Sequence, residues 1–124
     1  MRKLIIIPTY NERENIEAMI DRVLGLPGGY ELLVIDDGSP DGTAELVRAR
    51  VAAAQGRLHL LERSGKQGLG TAYLTGFRHA LEQGYDLVYE MDCDFSHDPD
   101  DLERLTAAAA AGADVAVGSR YVRG

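Results

Sequence analysis

The sequence predicts an α/β domain built on a mainly parallel sheet with helices on both faces, and three observations carry that expectation. Leu4–Ile7 and Leu32–Ile35 are short, continuous apolar runs rich in β-branched residues, the pattern of strands buried on both sides. Each is followed by a polar loop and then by apolar residues at helical spacing, so strand and helix alternate as in right-handed crossover units. The 124 residues, 45% of them hydrophobic, suffice for one compact core and are too few for two. Residues 1–124 are therefore expected to form a single domain.

Pro8 is expected to close the first strand. Ile16, Met19, Ile20, Val23 and Leu24 then recur at i, i+3, i+4, i+7 and i+8, one apolar stripe of a helix that Pro27-Gly28-Gly29 ends. After the second strand, Asp36–Gly42 reads as a loop, and Thr43 to Ala54 as a helix with Ala44, Val47 and Val51 inward. Leu58–Leu61 is a third, less purely apolar strand. Arg63–Gly70 is a basic, glycine-rich loop, and the segment Thr71–Glu82 is helical, with Tyr73, Phe77, Ala80 and Leu81 on its stripe. Leu87–Met91 is the fourth strand. Asp98 and Pro99 are entry signals for a further helix, which Gly112 stops, and Val115–Val117 is a fifth strand.

Ligands of such sheets sit beyond the carboxyl ends of the strands, where the strand order reverses. The polar loops Pro8–Asn15, Asp36–Gly42, Arg63–Gly70 and Asp92–Asp98 all fall at those ends. With a strand order of 3-2-1-4, the reversal lies between strands one and four and brings Tyr10 and Glu12 near Asp92 and Asp94.

Composition narrows the function. A net charge of −7 argues against nucleic-acid binding, which needs a basic face, and requires that any anionic ligand meet local positive charge or a metal. Cys93 is the single cysteine, which excludes an intrachain disulfide and a thiolate zinc cluster and suggests a space-filling role. No apolar run approaches the roughly 20 residues that cross a bilayer, and the apolar stretch after Met1-Arg2-Lys3 is too short for a signal peptide. The expectation is a soluble, cytoplasmic chain.

The most informative segment is Met91-Asp92-Cys93-Asp94-Phe95-Ser96-His97. Two carboxylates this close at a strand end repel each other unless a cation lies between them. Hard cations such as Mg²⁺ and Mn²⁺ take oxygen ligands and often use only one or two carboxylates, leaving other positions for water and phosphate oxygens. His97 is either a further ligand or a surface residue beside a helix cap. Pro8-Thr9-Tyr10-Asn11-Glu12 offers an aromatic face, an amide and a carboxylate to a base or ribose, with a capping box of Asn11 and Glu14 as the plainer alternative. Asp36-Asp37-Gly38-Ser39-Pro40-Asp41-Gly42 begins like a calcium loop counted from Asp37, but position twelve is Arg48, where a bidentate glutamate is needed. A carboxylate reaching a base N–H or a ribose hydroxyl suits the aspartate pair better. Gly65-Lys66-Gln67-Gly68-Leu69-Gly70 lacks the order of a phosphate loop, and Tyr73 stands where a dinucleotide fingerprint needs glycine. What survives there is Arg63 and Lys66 beside flexible backbone. Gly118-Ser119-Arg120 follows the fifth strand, and an arginine at that edge suits a phosphate through its planar fork.

Taken in order, Pro-Thr-Tyr-Asn-Glu, Asp-Asp-Gly-Ser-Pro-Asp-Gly-Thr, Gly-Leu-Gly-Thr-Ala-Tyr, Met-Asp-Cys-Asp-Phe-Ser-His and Gly-Ser-Arg-Tyr closely resemble the nucleotide-binding part of family 2 glycosyltransferases. Within them the resemblance is to the dolichyl- or polyprenyl-phosphate mannose synthases, and it covers essentially the whole chain. It implies a Rossmann-like GT-A fold and inverting transfer of mannose from GDP-mannose to a dolichyl or polyprenyl phosphate. Matched to these positions, it implies that Pro8, Tyr10 and Glu12 contact guanosine and that Ile35 and Asp37 line the base and ribose pocket. Asp92, Asp94 and Ser96 would hold Mg²⁺ or Mn²⁺ against the diphosphate, with Cys93 between the two aspartates in the binding segment. Arg120 would face a phosphate, so Asp94 and Arg120 stand nearest the chemistry. Ser96 replaces a glutamine found in many relatives and reaches less far, and Cys93 replaces a usual alanine.

The family normally continues into an acceptor loop, another strand and membrane-contacting helices. The chain is accordingly expected to be a donor-binding piece, with peripheral membrane contact made through the region beyond it and little transfer of its own. The rivals are a family 2 enzyme using a UDP-sugar or another donor, and a non-catalytic nucleotide-sugar-binding module. A receiver domain is excluded, because its acidic pair belongs after strand one, where this chain has Pro-Thr-Tyr.

Overall fold

The computed structural model describes residues 2–64, 69–93 and 120–123. Its elements are β1 (Lys3–Thr9), α1 (Arg13–Leu24), β2 (Glu31–Asp36), α2 (Thr43–Val51, extended by a 3₁₀ turn over Ala52–Ala54), β3 (Leu58–Glu62), α3 (Leu69–Gln83), β4 (Leu87–Glu90) and β5 (Arg120–Arg123). The expected helix from Asp98, the strand over Val115–Val117, and Lys66 lie outside the described residues.

The strands form one sheet in the order β3-β2-β1-β4-β5. β1 pairs in parallel with both β2 and β4, and β2 with β3, so the reversal of strand order falls between β1 and β4 as expected. The sheet is mainly parallel because β5 runs antiparallel to β4, with Glu90 opposite Arg120. Arg120 therefore opens a strand instead of following one. The antiparallel direction still puts it beside the carboxyl end of β4.

Period-two alternation sends the strand residues to two separate cores. Ile5, Ile7, Leu32, Val34, Leu58, Leu87 and Tyr89 pack with Ile16, Met19, Ile20, Val23 and Val47 of α1 and α2. Leu4, Ile6, Leu33, Ile35 and Val88 face the other way and pack with Ala72 and Ala80 of α3. The stripe expected for α1 is borne out.

Two expectations need correction. Pro8 does not close β1 but pairs with Ile35 inside it. The Ile6 carbonyl accepts the Met91 N–H across the β4 side, and Pro8, two residues on, turns its main chain the same way, just past the last β1–β4 pair at Ile6 and Glu90. Its missing N–H thus costs no ladder bond. In α3, Leu81 is 67% exposed and does not join the core. The buried stripe is made of small residues, Ala72, Gly76 and Ala80. A Cβ added at Gly76 would lie 2.6 Å from Cδ1 of Ile6, so α3 rests directly on β1 where only glycine fits.

Candidate functional site

The site is built by two loops that cap each other. After β1, Asn11 takes a left-handed conformation (φ 56°), and α1 starts with no capping bond from its own N-cap residue, Glu12. The second loop supplies the partners that a helix start needs. The Asn11 N–H donates to Ser39 Oγ at 2.9 Å, the Glu12 N–H to Thr43 Oγ1 at 3.1 Å and the Arg13 N–H to Asp41 Oδ2 at 3.2 Å. No Asn11–Glu14 capping box forms among these bonds; Glu12 Oε2 instead accepts from Asn15 Nδ2 at 3.2 Å. Asp41 also accepts from the Thr43 hydroxyl and N–H, and these bonds, led by the hydroxyl, hold its carboxyl below the usual range. Gly42, at φ 90°, lets the chain turn beneath the Arg13 guanidinium, where a Cβ would come within 2.8 Å of a nitrogen.

The two adjacent aspartates of the second loop have different work. Asp36 Oδ1 accepts from Thr9 Oγ1 at 2.7 Å and Ser39 Oγ at 2.6 Å, and its Oδ2 from the Ser39 N–H at 2.9 Å. It is an internal strut. Asp37, on the opposite face of the sheet, is gripped by both forks of Arg63, Nε to Oδ1 at 2.6 Å and Nη2 to Oδ2 at 2.8 Å. The side chains of this pair are only 8% and 10% exposed, so the bidentate geometry compensates the burial of two charges. Arg63 Nη1 also donates to Thr71 Oγ1 at 3.1 Å, in the first turn of α3.

Asp92 lies two residues beyond β4, and its Oδ1 accepts the Tyr73 hydroxyl at 3.1 Å. Among the described residues no cation pairs with Asp92. Its partner is a neutral donor, which leaves the carboxylate's charge and its second oxygen for a cation, and so the residue fits a hard divalent metal. Cys93 is 2% exposed in the core shared with α1 and α2, so its side chain fills space as expected.

The fold thus brings Pro8 of β1 with Tyr10 and Glu12 from the loop after it, and Ile35 of β2 with Asp37 just beyond its end, to the same sheet edge as Asp92. Tyr10 is 37% exposed there, while Ile35 is fully buried. Arg120 reaches this edge through β5. Asp94, Ser96 and His97 lie outside the described residues. The partners that sequence reasoning missed are Thr71 and Tyr73. Tyr73 falls on the apolar stripe of its helix by spacing alone; the signal for its role is the hydroxyl, which a half-buried tyrosine must satisfy.

A mainly parallel sheet with helices on both faces and acidic residues at the switch point is a Rossmann-like arrangement and agrees with the GT-A fold that the resemblance implies. The chain belongs to glycosyl transferase family 2, whose profile matches residues 4–124. It is 51% identical over 99% of its length to a polyprenol monophosphomannose synthase of Mycolicibacterium smegmatis, covering 46% of that protein. It is 48% identical over its full length to an undecaprenyl-phosphate mannosyltransferase of Micrococcus luteus, covering 50% of it, and 39% identical to a dolichol-phosphate mannosyltransferase of Pyrococcus furiosus, covering 34%. The chain therefore spans half or less of the length of these relatives. Among solved structures it is similar to the mannosyltransferase PcManGT of Pyrobaculum calidifontis in complex with GDP-Man and Mn²⁺, with a TM-score of 0.68 and 32% identity over 75% of this chain and 27% of that one. TarS of S. aureus, at 22% identity, has the same fold, with a TM-score of 0.75 over 93% of this chain and 33% of that one.

Proposed function

We propose that the chain carries the donor half of a metal-dependent inverting mannosyltransferase that moves mannose from GDP-mannose to a polyprenyl or dolichyl phosphate. The observation that carries this reading is the pairing of the β1/β4 switch point, with Tyr10 and Glu12 on one side and Asp92 on the other, with relatives that bear mannosyltransferase names.

Pro8, Tyr10 and Glu12 form the wall that receives guanosine, and Ile35 and Asp37 close the base and ribose pocket from β2. Asp92, Asp94 and Ser96 would hold Mg²⁺ or Mn²⁺, and the similar GDP-Man complex contains Mn²⁺. When bound, the ion supplies charge stabilisation for a departing diphosphate. Arg120, at the edge of β4, adds a planar fork for phosphate oxygens. A lipid phosphate is already anionic at neutral pH, so the acceptor needs no general base from this chain. The protein's contribution is then position and preorganised charge.

Calorimetric titration of GDP-mannose with and without Mn²⁺ tests the reading, on the native chain and on Asp94→Ala. The expected result is metal-dependent binding that the substitution weakens at least tenfold. Binding that ignores both metal and substitution would overturn the assignment, and tighter binding of UDP than of GDP would transfer it to another donor.

A further inference from the structure

We propose that Tyr73 is a positioning residue for Asp92, and that the first turns of α3 brace both walls of the donor site at once; the inference rests on the donor reading above. α3 lies over the central strand, with Gly76 so close to Ile6 that a Cβ would meet its side chain at 2.6 Å. In the sheet order, β2 lies on one side of β1 and β4 on the other. Residues two apart on a helix point about 200° apart, so a helix centred on β1 sends Thr71 and Tyr73 in opposite directions. Thr71 meets Arg63, which grips Asp37 at the end of β2, while Tyr73 meets Asp92 beyond β4. One rigid turn thereby sets the distance between the nucleoside carboxylate and the metal carboxylate.

The Tyr73 hydrogen bond to one oxygen selects a rotamer of Asp92 in advance of its ligand, and among the described residues the other oxygen is left for that ligand. Partners of this kind change metal affinity about 10- to 100-fold when removed. The ring of Tyr73 is half-buried against the core that α3 shares with Leu4, Ile6 and Ile35, so phenylalanine retains the packing and deletes only the hydroxyl.

The test measures free Mn²⁺ by electron paramagnetic resonance during titration into the chain with GDP present, together with GDP binding in the absence of metal. Tyr73→Phe is expected to weaken Mn²⁺ about tenfold and to leave metal-free GDP binding within about twofold of native. Thr71→Val is expected to do the reverse, weakening metal-free GDP several-fold. Leu74→Ala, on the face of α3 where the side chain is 63% exposed, is expected to change neither. Native Mn²⁺ affinity in Tyr73→Phe, or equal losses in both assays, would overturn the brace and leave the donor reading standing. A native chain that takes up no Mn²⁺ with GDP would overturn both.

Discussion

The two ends of the sheet both collect charged residues, and the proposed site lies at the carboxyl end. At the amino ends of the strands, Glu31 accepts the Tyr85 hydroxyl at 2.6 Å, meets His59 Nε2 at 3.1 Å and lies 3.6 Å from Arg2 Nε. Arg2 in turn stacks 4.1 Å over the Tyr85 ring. Burial raises the Glu31 carboxyl, but the bonds from Tyr85 and His59 and the charge of Arg2 outweigh it and leave the group below its ordinary value. The carboxylate is surrounded by donors and has nothing left to offer. At the carboxyl ends, Asp36 is closed in the same way and Asp37 by Arg63, whereas among the described residues Asp92 meets a neutral donor, Tyr73. The proposed metal carboxylate thus differs from Glu31 and Asp36 in the partners it meets, which neither residue type nor clustering reveals.

Removing the Arg63 fork is the harshest way to break that contrast. Arg63→Ala removes the bidentate partner of the buried Asp37 carboxylate, and the expected loss is about 3–5 kcal/mol of stability, read as a fall in the urea midpoint. Arg63→Met combined with Asp37→Asn is expected to recover much of it, because the pair then leaves no lone charge. Gly76→Ala comes next. The new methyl must displace the branched, fully buried Ile6, and overpacking of this kind costs about 1–3 kcal/mol.

Tyr85→Phe has the smallest expected effect, about 1 kcal/mol at neutral pH, because Glu31 keeps His59 and Arg2. Nucleotide binding should be unchanged, which sharpens the distinction between the two edges. Burial and then the Glu31 hydrogen bond push the Tyr85 hydroxyl up to about 12. A raised folded value means that the native state holds its proton more tightly, so stability is full below pH 10 and is lost as pH rises through about 12. That alkaline decline should vanish in Tyr85→Phe. Glu31 has the opposite sign: its depressed value contributes stability above the ordinary carboxylate range that is lost as pH falls. The acid limb should move to higher pH in the variant, as thermal unfolding across pH will show.

Much of this was legible before any coordinates. The strand runs, the α1 stripe and the edge that carries the polar loops follow from local spacing and from the geometry of crossover connections, whereas the strand order entered as a supposition that the sheet bears out. The α3 stripe was misread at Leu81 because reasoning from large apolar residues overlooks close approach, which selects Ala72, Gly76 and Ala80 instead. Asn11 and Glu14 have the right spacing to cap a helix, yet the donors of α1 find better acceptors on Ser39, Asp41 and Thr43, about thirty residues away.

The sequence by itself determined β1 to β4, the helices between them, the apolar face of α1 and which family the motifs resemble, since each depends on residues within a few positions of one another. Only the tertiary structure decided that Asp36 is a strut, that Asp37 belongs to Arg63 and that Asp92 answers to Tyr73. Those assignments depend on which side chains meet across the sheet, and a hydrogen bond between distant residues leaves no periodic trace in the chain.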